Sequence, residues 1–391
     1  MNKIKICHII TRLDHGGSAT NTLETVARLD RKLYDVTLIS GKTDPQHLPQ
    51  IALFAKSNNI NLNFIDYLVR DVNFSKDFKA YRELTKFLTA SKFDIVHTHS
   101  SKAGIIGRWA AKKAKIPIIV HTPHGHIFYG YFNKFFSWCF AMAEEITAEI
   151  TNLIICLTRQ ERDDYLKINF APKEKLVVIP SGIDLAFFKN KKGSINIFEI
   201  RERLNFPQNA FIIGFVGRLD PIKNISTLIN AFNEVLSQIP DAHLLIVGDG
   251  SEKPKLEKLA DRLNINDRIH FVGHQTQVVE FFNCMDLFIL PSLNEGMGRV
   301  LIEAMACRIP IIATDVGSIP VIIKDGVNGL LMPPQDIKAL QHAIVELYRA
   351  PLIRQKFIEN AFETITEDYD INYMVDQISK EYQRLIKKVK S

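Results

Sequence analysis

Runs of four to six mostly apolar residues, each bounded by polar turns, alternate with helix-length segments along this chain. That alternation admits few folds, because it is the pattern of a parallel α/β sheet with helices packed on it. The first series of runs covers residues 5–10, 36–40, 61–65, 95–99, 118–121, 153–157 and 175–179. Near-continuous runs such as residues 153–157 predict strands covered on both faces. After a polar stretch at residues 190–209, read as a linker, the pattern restarts at 211–216, 243–247, 269–272, 287–290 and 311–314. A chain of 391 residues is also longer than one hydrophobic core usually serves. Two successive Rossmann-like domains, residues 1–190 and 191–371, are the simplest account. Such sheets place their ligands beyond the carboxyl ends of the strands. The final segment carries Ile371, Met374, Ile378, Tyr382 and Leu385 on one helix face, which must pack on something.

Composition removes several function classes. Hydrophobic residues are 46% and charged residues 24%, as in ordinary globular chains. The longest strongly apolar run, residues 135–142, is far short of the roughly 20 residues that span a bilayer. Residues 1–11 read as a first strand and not as a signal peptide. Five scattered cysteines without metal or redox spacing indicate a reducing cytosol. Residues 1–190 hold 26 basic and 18 acidic side chains, whereas residues 191–391 hold 23 and 25. The first half is therefore suited to an anionic membrane surface or a phosphorylated substrate. Nucleic acid is disfavoured, since no dense basic cluster or nucleic-acid-binding motif appears.

The most informative stretch is residues 291–310, where a strand leads through a glycine-containing turn (Glu295, Gly296, Met297, Gly298) into a helix carrying Glu303. Amides at a helix start receive anions well. Carboxylates suit sugar hydroxyls, so Glu295 and Glu303 could hold the two sugars that flank a diphosphate. The same spacing also describes a turn glutamate followed by a helix-surface one. A second motif, Gly217-Arg218-Leu-Asp-Pro-Ile-Lys223, begins after the first strand of the second half. Arg218 and Lys223 are placed there to neutralise a diphosphate, or to remain solvated. In the first half, Gly16 and Gly17 follow the first strand and let backbone amides approach a ligand, while Asp14 either meets an acceptor or caps a helix. His121, His124 and His126 also follow a strand. Alternation puts neighbouring side chains on different faces and no ligand set completes a metal site, so one histidine facing the ligand is expected and no metal. His97 and His99 read as structural.

Taken in order, these features resemble a family-4 retaining glycosyltransferase of the GT-B fold. The resemblance rests on Gly16-Gly17, Asp94-Ile-Val-His97-Thr-His99, Thr122-Pro-His124-Gly, Gly217-Arg218 with Lys223, the pair Glu295/Glu303, and Asp325-Gly-Val-Asn-Gly-Leu-Leu, and it covers nearly the whole chain. It implies an α/β fold of two Rossmann-like domains facing each other across a cleft. The first domain (1–190) would bind the acceptor and the second (191–371) the nucleotide sugar, with residues 372–391 crossing back onto the first. By the same resemblance Arg218 and Lys223 contact the donor diphosphate, Glu303 the ribose and Glu295 the transferred sugar, with His124 beside that sugar. The expected activity is transfer of a hexose or N-acetylhexosamine, with retention, from a nucleotide diphosphate sugar, UDP-linked, to a glycan or polyprenyl-diphosphate-linked acceptor. No cofactor or divalent metal is expected. A 2-epimerase of sugar nucleotides on the same scaffold, and a silent sugar-nucleotide-binding protein, are the rival readings.

Two departures from the family pattern stand out: Arg308 where relatives often have glycine, and Val321 where a glutamate commonly follows the proline. Residues 131–143 read as a helix whose apolar arc is wider than a core-facing helix needs. One edge, centred on Tyr131, Trp138 and Met142, is expected to meet lipid or a lipid-linked acceptor. The expected location is the cytoplasm, with peripheral attachment to the inner face of the membrane.

Overall fold

The structure is a computed structural model that describes residues 3–14, 16–45, 47–125, 134–190 and 196–390, with the side chains of residues 134–140 outside that description. The chain divides into two compact units, residues 1–182 with 371–391, and residues 183–370.

The first unit holds strands β1 (Ile4–Ile10), β2 (Tyr34–Gly41), β3 (Asn61–Ile65), β4 (Ile95–His99), β5 (Ile118–Thr122), β6 (Leu153–Cys156) and β7 (Leu176–Val178). They form one parallel sheet in the order β3-β2-β1-β4-β5-β6-β7. Alternation along the strands builds a core on each face. Ile6, Val36, Ile95 and Val120 point to one side, and Cys7, Ile9, Val96 and Ile119 to the other. The helix Ile371–Lys390 covers the first side with Met374, Ile378, Tyr382 and Leu385, each 5% exposed or less. Burying such side chains is worth about 1.5–3 kcal/mol each, and this is where the apolar face seen in the sequence goes.

The second unit holds β8 (Phe211–Val216), β9 (Ala242–Val247), β10 (Ile269–Phe271), β11 (Leu287–Leu290), β12 (Ile311–Thr314) and β13 (Leu330–Met332). Its parallel sheet runs β10-β9-β8-β11-β12-β13. In each sheet the order reverses beside the first strand, between β1 and β4 and between β8 and β11. The carboxyl edge at such a switch point is the place where this architecture holds ligands.

Three local expectations change. The stretch read as a linker contains the helix Ile197–Arg203, capped by the Asn196 side chain, and it belongs to the second unit. Arg201 fastens it to Asp286 at 3.0 Å. The helix expected over 131–143 runs over Lys134–Glu149, and Tyr131 lies outside the described residues. Arg308 takes the left-handed conformation (φ 57°) that glycine usually supplies after a helix. Its guanidinium lies 3.8 Å from the centre of the Phe362 ring, a contact that offsets the strain. Among the described residues no helix is long and apolar enough to cross a membrane.

Candidate active site

In the second unit the loops after β8 and β11 are stitched together: the Leu293 amide donates to the Ile222 carbonyl at 2.8 Å, and Asn224 Nδ2 to the Pro291 carbonyl at 3.3 Å. That stitching brings Lys223 and Glu295, far apart in sequence, into an ion pair. Ser292 Oγ donates to the same Glu295 oxygen at 2.8 Å. Glu295 Oε2 makes no hydrogen bond among the described residues and is open to a hydroxyl donor. Gly317 closes the other side of this turn, because a Cβ there would lie 2.2 Å from the Glu295 carbonyl oxygen.

Gly298 caps the helix Arg299–Ala306 in the left-handed conformation (φ 71°), a position that favours glycine. Met297 is buried beside it, and Gly296 is half-buried. The Leu301 amide donates to the Gly298 carbonyl at 2.8 Å, while the Arg299 and Val300 amides have no backbone partner among the described residues, so the turn can receive an anion. One turn in, Glu303 Oε1 accepts from Arg299 Nε at 3.2 Å. Burial raises the Glu303 carboxyl above its ordinary value, and the Arg299 guanidinium partly reverses this. Arg218 pairs with Asp220 at 2.8 Å and is the most exposed cation of the group. The edge thus carries three cations, two glutamates each with an oxygen to spare, and a helix start. Arg299 is the member that sequence reasoning missed. Its signal was the four-residue spacing to Glu303, which puts both on one helix face.

The first unit presents a different edge. Thr11, after β1, meets Ser100, after β4, at 3.0 Å between hydroxyls. Gly16 caps the helix Gly17–Arg28, and a Cβ on Gly17 would find open space. Asp14 does not cap that helix. It pairs with Arg12 at 2.9 Å and accepts from the Asp44 amide at 2.9 Å, tying the β1 and β2 loops. His124 follows β5 with a φ of 61°, in the sparsely populated left-handed region, where such values cluster at functional sites. Its neighbour Gly125 donates to buried Glu161 at 3.2 Å.

His121 points the other way, onto Thr98 at 2.9 Å, and His126 lies outside the described residues. His97 and His99, read as structural, are buried and are linked to His124 by hydrogen bonds, together with His8 and Tyr382. His8, His97 and His99 bring ring nitrogens within 4.8 Å of one another, yet every one of those nitrogens has a hydrogen-bond partner in the protein. Of the expected acceptor-side residues, Met142 is 41% exposed on the helix Lys134–Glu149, and the Trp138 side chain lies outside the described residues.

Comparison with known proteins agrees with this geometry. The family model described as "Glycosyltransferase Family 4" matches residues 15–187, and "Glycosyl transferases group 1" matches residues 196–364. The chain is 30% identical over 97% of its length to UDP-Gal:alpha-D-GlcNAc-diphosphoundecaprenol alpha-1,3-galactosyltransferase of Escherichia coli, of which it covers 97%. Among solved structures, HepE of Anabaena in complex with UDP-glucose has a TM-score of 0.82 at 20% identity, over 97% of this chain and 100% of that one. Sucrose-phosphate synthase from Thermosynechococcus elongatus has a TM-score of 0.82 at 24% identity, over 99% and 100%. Those two likenesses show the fold, while the full-length relative and the two family models show the family. With sheets of this order and a site of this kind, the chain belongs to the family-4 glycosyltransferases and is a glycosyltransferase of the GT-B fold.

Proposed function

We propose that this enzyme moves a hexose or N-acetylhexosamine from a UDP-sugar to a polyprenyl-diphosphate-linked glycan, with retention of configuration and without a metal. The observation that carries the reading is the second unit's edge, where Lys223, Arg218 and a helix start surround two glutamates with unused oxygens. Similarity over nearly all of its length to a galactosyltransferase named for a diphosphoundecaprenol-linked acceptor supports the acceptor class.

In this reading Glu303 accepts from ribose hydroxyls and Glu295 from the transferred sugar. The bond from the sugar's anomeric carbon to the β-phosphate oxygen lengthens first, and negative charge collects on the diphosphate. Arg218, Lys223 and the helix amides stabilise that charge, which is the task divalent metals perform elsewhere. The acceptor oxygen attacks from the face the diphosphate leaves, and its proton passes to the departing phosphate oxygen. Glu295 is held by Lys223 and Ser292, an arrangement suited to binding hydroxyls and poor for attack on carbon. His124 lies beside the transferred sugar.

Peripheral association with an anionic membrane completes the proposal. The basic excess of residues 1–190 supports it, as do Met142 and Ile146, one turn apart and 41% and 50% exposed. Mass spectrometry of products from a panel of nucleotide sugars and a polyprenyl-diphosphate glycan tests the reaction. Nucleotide release only with acceptor present is expected, and an epimer formed without acceptor would overturn it. Full activity in EDTA is expected; loss restored by Mg²⁺ or Mn²⁺ would refute metal independence. Co-sedimentation with anionic vesicles, weakened in Trp138→Ser, tests the membrane arm, and equal binding by that variant would return the helix to the core.

A further inference from the structure

Four histidines of the first unit form a single file of hydrogen bonds, of which the proposed reaction uses only the end. His124 Nε2 lies 3.0 Å from His99 Nδ1, and His99 Nε2 lies 2.9 Å from His8 Nδ1. His8 Nε2 is 3.4 Å from the Tyr382 hydroxyl, which is 2.5 Å from His97 Nδ1. His97 Nε2 ends the file on Thr122 Oγ1 at 2.8 Å. Strand register assembles the file, since His8 on β1 sits opposite His97 on β4, and His99 opposite Thr122 on β5. Tyr382 enters from the helix Ile371–Lys390. His8, His97, His99, Thr122 and Tyr382 are all buried. Burial pushes His8 and His124 down to about 3 and holds His97 and His99 well below the usual imidazole value. All four rings are neutral at pH 7.

A neutral imidazole carries one N–H and a hydroxyl one O–H. Six such groups joined by five links hold one hydrogen more than the links use. Were Tyr382 to accept from both neighbours, its own hydrogen would be a buried donor with no partner among the described residues, so the spare hydrogen projects from one end. If every group donates toward Thr122, the spare hydrogen is that hydroxyl's own. Thr122 is 3% exposed and has no second side-chain partner among the described residues, so a buried donor would be orphaned. If every group donates toward His124, the spare hydrogen sits on His124 Nδ1, which no described residue occupies. The short contact between Tyr382 and His97 accommodates either donor, so the ends decide.

We infer that Thr122 and Tyr382, acting through His97, His8 and His99, set the tautomer of His124 so that it presents Nδ1–H to its ligand. The inference rests on the proposed placement of His124 beside the donor sugar, where an uncharged donor suits a sugar or phosphate oxygen. Tyr382 is then a positioning residue, acting from the far end of the chain's sequence. One ring cannot turn its polarity without its neighbours, because each link needs one donor and one acceptor. In this direction all four rings carry hydrogen on Nδ1, the reverse of the form that free histidine side chains favour. Packing alone does not require such a signature.

Long-range ¹H–¹⁵N correlation spectra of the full chain, labelled with ¹⁵N-histidine and recorded without ligand, read each ring directly. Signals are assigned by their loss in single His→Asn variants. Nδ1–H is expected at His8, His97, His99 and His124. Tyr382→Phe keeps the ring and removes the hydroxyl, so His97 Nδ1–H loses its acceptor and His8 Nε2 its donor, and both ring signals should shift. In that variant kcat should fall about three- to tenfold, with the donor KM held within about twofold. An Nε2–H signal at His124 in the wild type, or stoichiometric zinc on His8, His97 and His99, would overturn the inference. Expected spectra with unchanged Tyr382→Phe kinetics would instead overturn the placement of His124 at the sugar.

Discussion

The two sheets offer the same kind of carboxyl edge but furnish it with opposite chemistry. Beyond β8 and β11, the functional groups are charged and partly exposed, as Arg218–Asp220, Lys223–Glu295 and Arg299–Glu303. Beyond β4 and β5 they are neutral imidazoles and hydroxyls, bonded to one another and largely closed to water. The first unit does hold one deep ion pair, Arg108–Glu144 at 2.6 Å, which Tyr165 and Thr151 complete. It lies under the helix Lys134–Glu149 and away from the edge. The difference teaches where each kind of electrostatics is useful. In the proposed reaction, charge that must meet a diphosphate stays near solvent and is cheap to keep. Fixed dipoles that need only aim one hydrogen can be buried, provided every link is satisfied.

The sharpest test of that contrast is the largest. Arg108→Met should destabilise the first unit by about 3–5 kcal/mol, because it strands a buried carboxylate. Arg218→Ala, in an exposed pair, should change stability by less than about 1 kcal/mol. Urea unfolding followed by tryptophan fluorescence checks the first, since Trp109 and Trp138 both belong to that unit. Equal small effects would erase the distinction.

Function should respond the other way round. Lys223→Ala should lower kcat/KM by about 2–4 kcal/mol of transition-state stabilisation, with folding nearly unchanged. A variant that lost stability and kept its turnover would make Lys223 a structural residue. The glutamates divide more finely. Glu303→Ala should weaken UDP binding by about 1.5–3 kcal/mol, and Glu295→Ala should act mainly on turnover. Calorimetric titration with UDP decides, and equal losses of affinity would sink the division.

The smallest effect per step is acid sensitivity. His8 and His124 have folded values near 3 against 6.5 unfolded, and His97, His99 and His121 are lowered in the same sense. The unfolded chain therefore binds more protons below pH 6.5. Each such histidine costs about 1.4 kcal/mol for every pH unit between 6.5 and its folded value. Glu161 opposes them: burial raises it to about 7 from 4.5, so its contribution improves as pH falls through that window. In the second unit His243 and His270 are lowered in the same sense. Tryptophan fluorescence should report loss of the first unit at higher pH than far-ultraviolet dichroism reports loss of total helix. Coincident transitions would contradict the asymmetry.

How much of this could be read from the residues follows the same line. Most of strands β1 to β12 were legible because parallel strands buried on both faces are apolar runs, although the edge strand β3 is mostly exposed or half-buried. β13 escaped, being three residues framed by Gly329 and two prolines, and the helix Ile197–Arg203 escaped because its surroundings are polar. Glu295, Glu303, Arg218 and Lys223 could be named from spacing and resemblance, but the Lys223–Glu295 pairing could not, since topology alone brings those loops together. His8 was hidden for the opposite reason. A lone imidazole inside an apolar strand looks like any buried residue, and Tyr382 looks like one more apolar position on a helix face.

The helix Ile371–Lys390 has a consequence in time. It supplies the first unit's core with Met374, Ile378, Tyr382 and Leu385, yet it is made after the whole second unit. During synthesis the first sheet waits with one apolar face only partly covered, by Val26, Leu29, Ile51 and Ala55, while residues 183–370 emerge as a contiguous block. The first unit's core can therefore be completed only after the second unit has been made, and the nascent first unit is the form most in need of a chaperone.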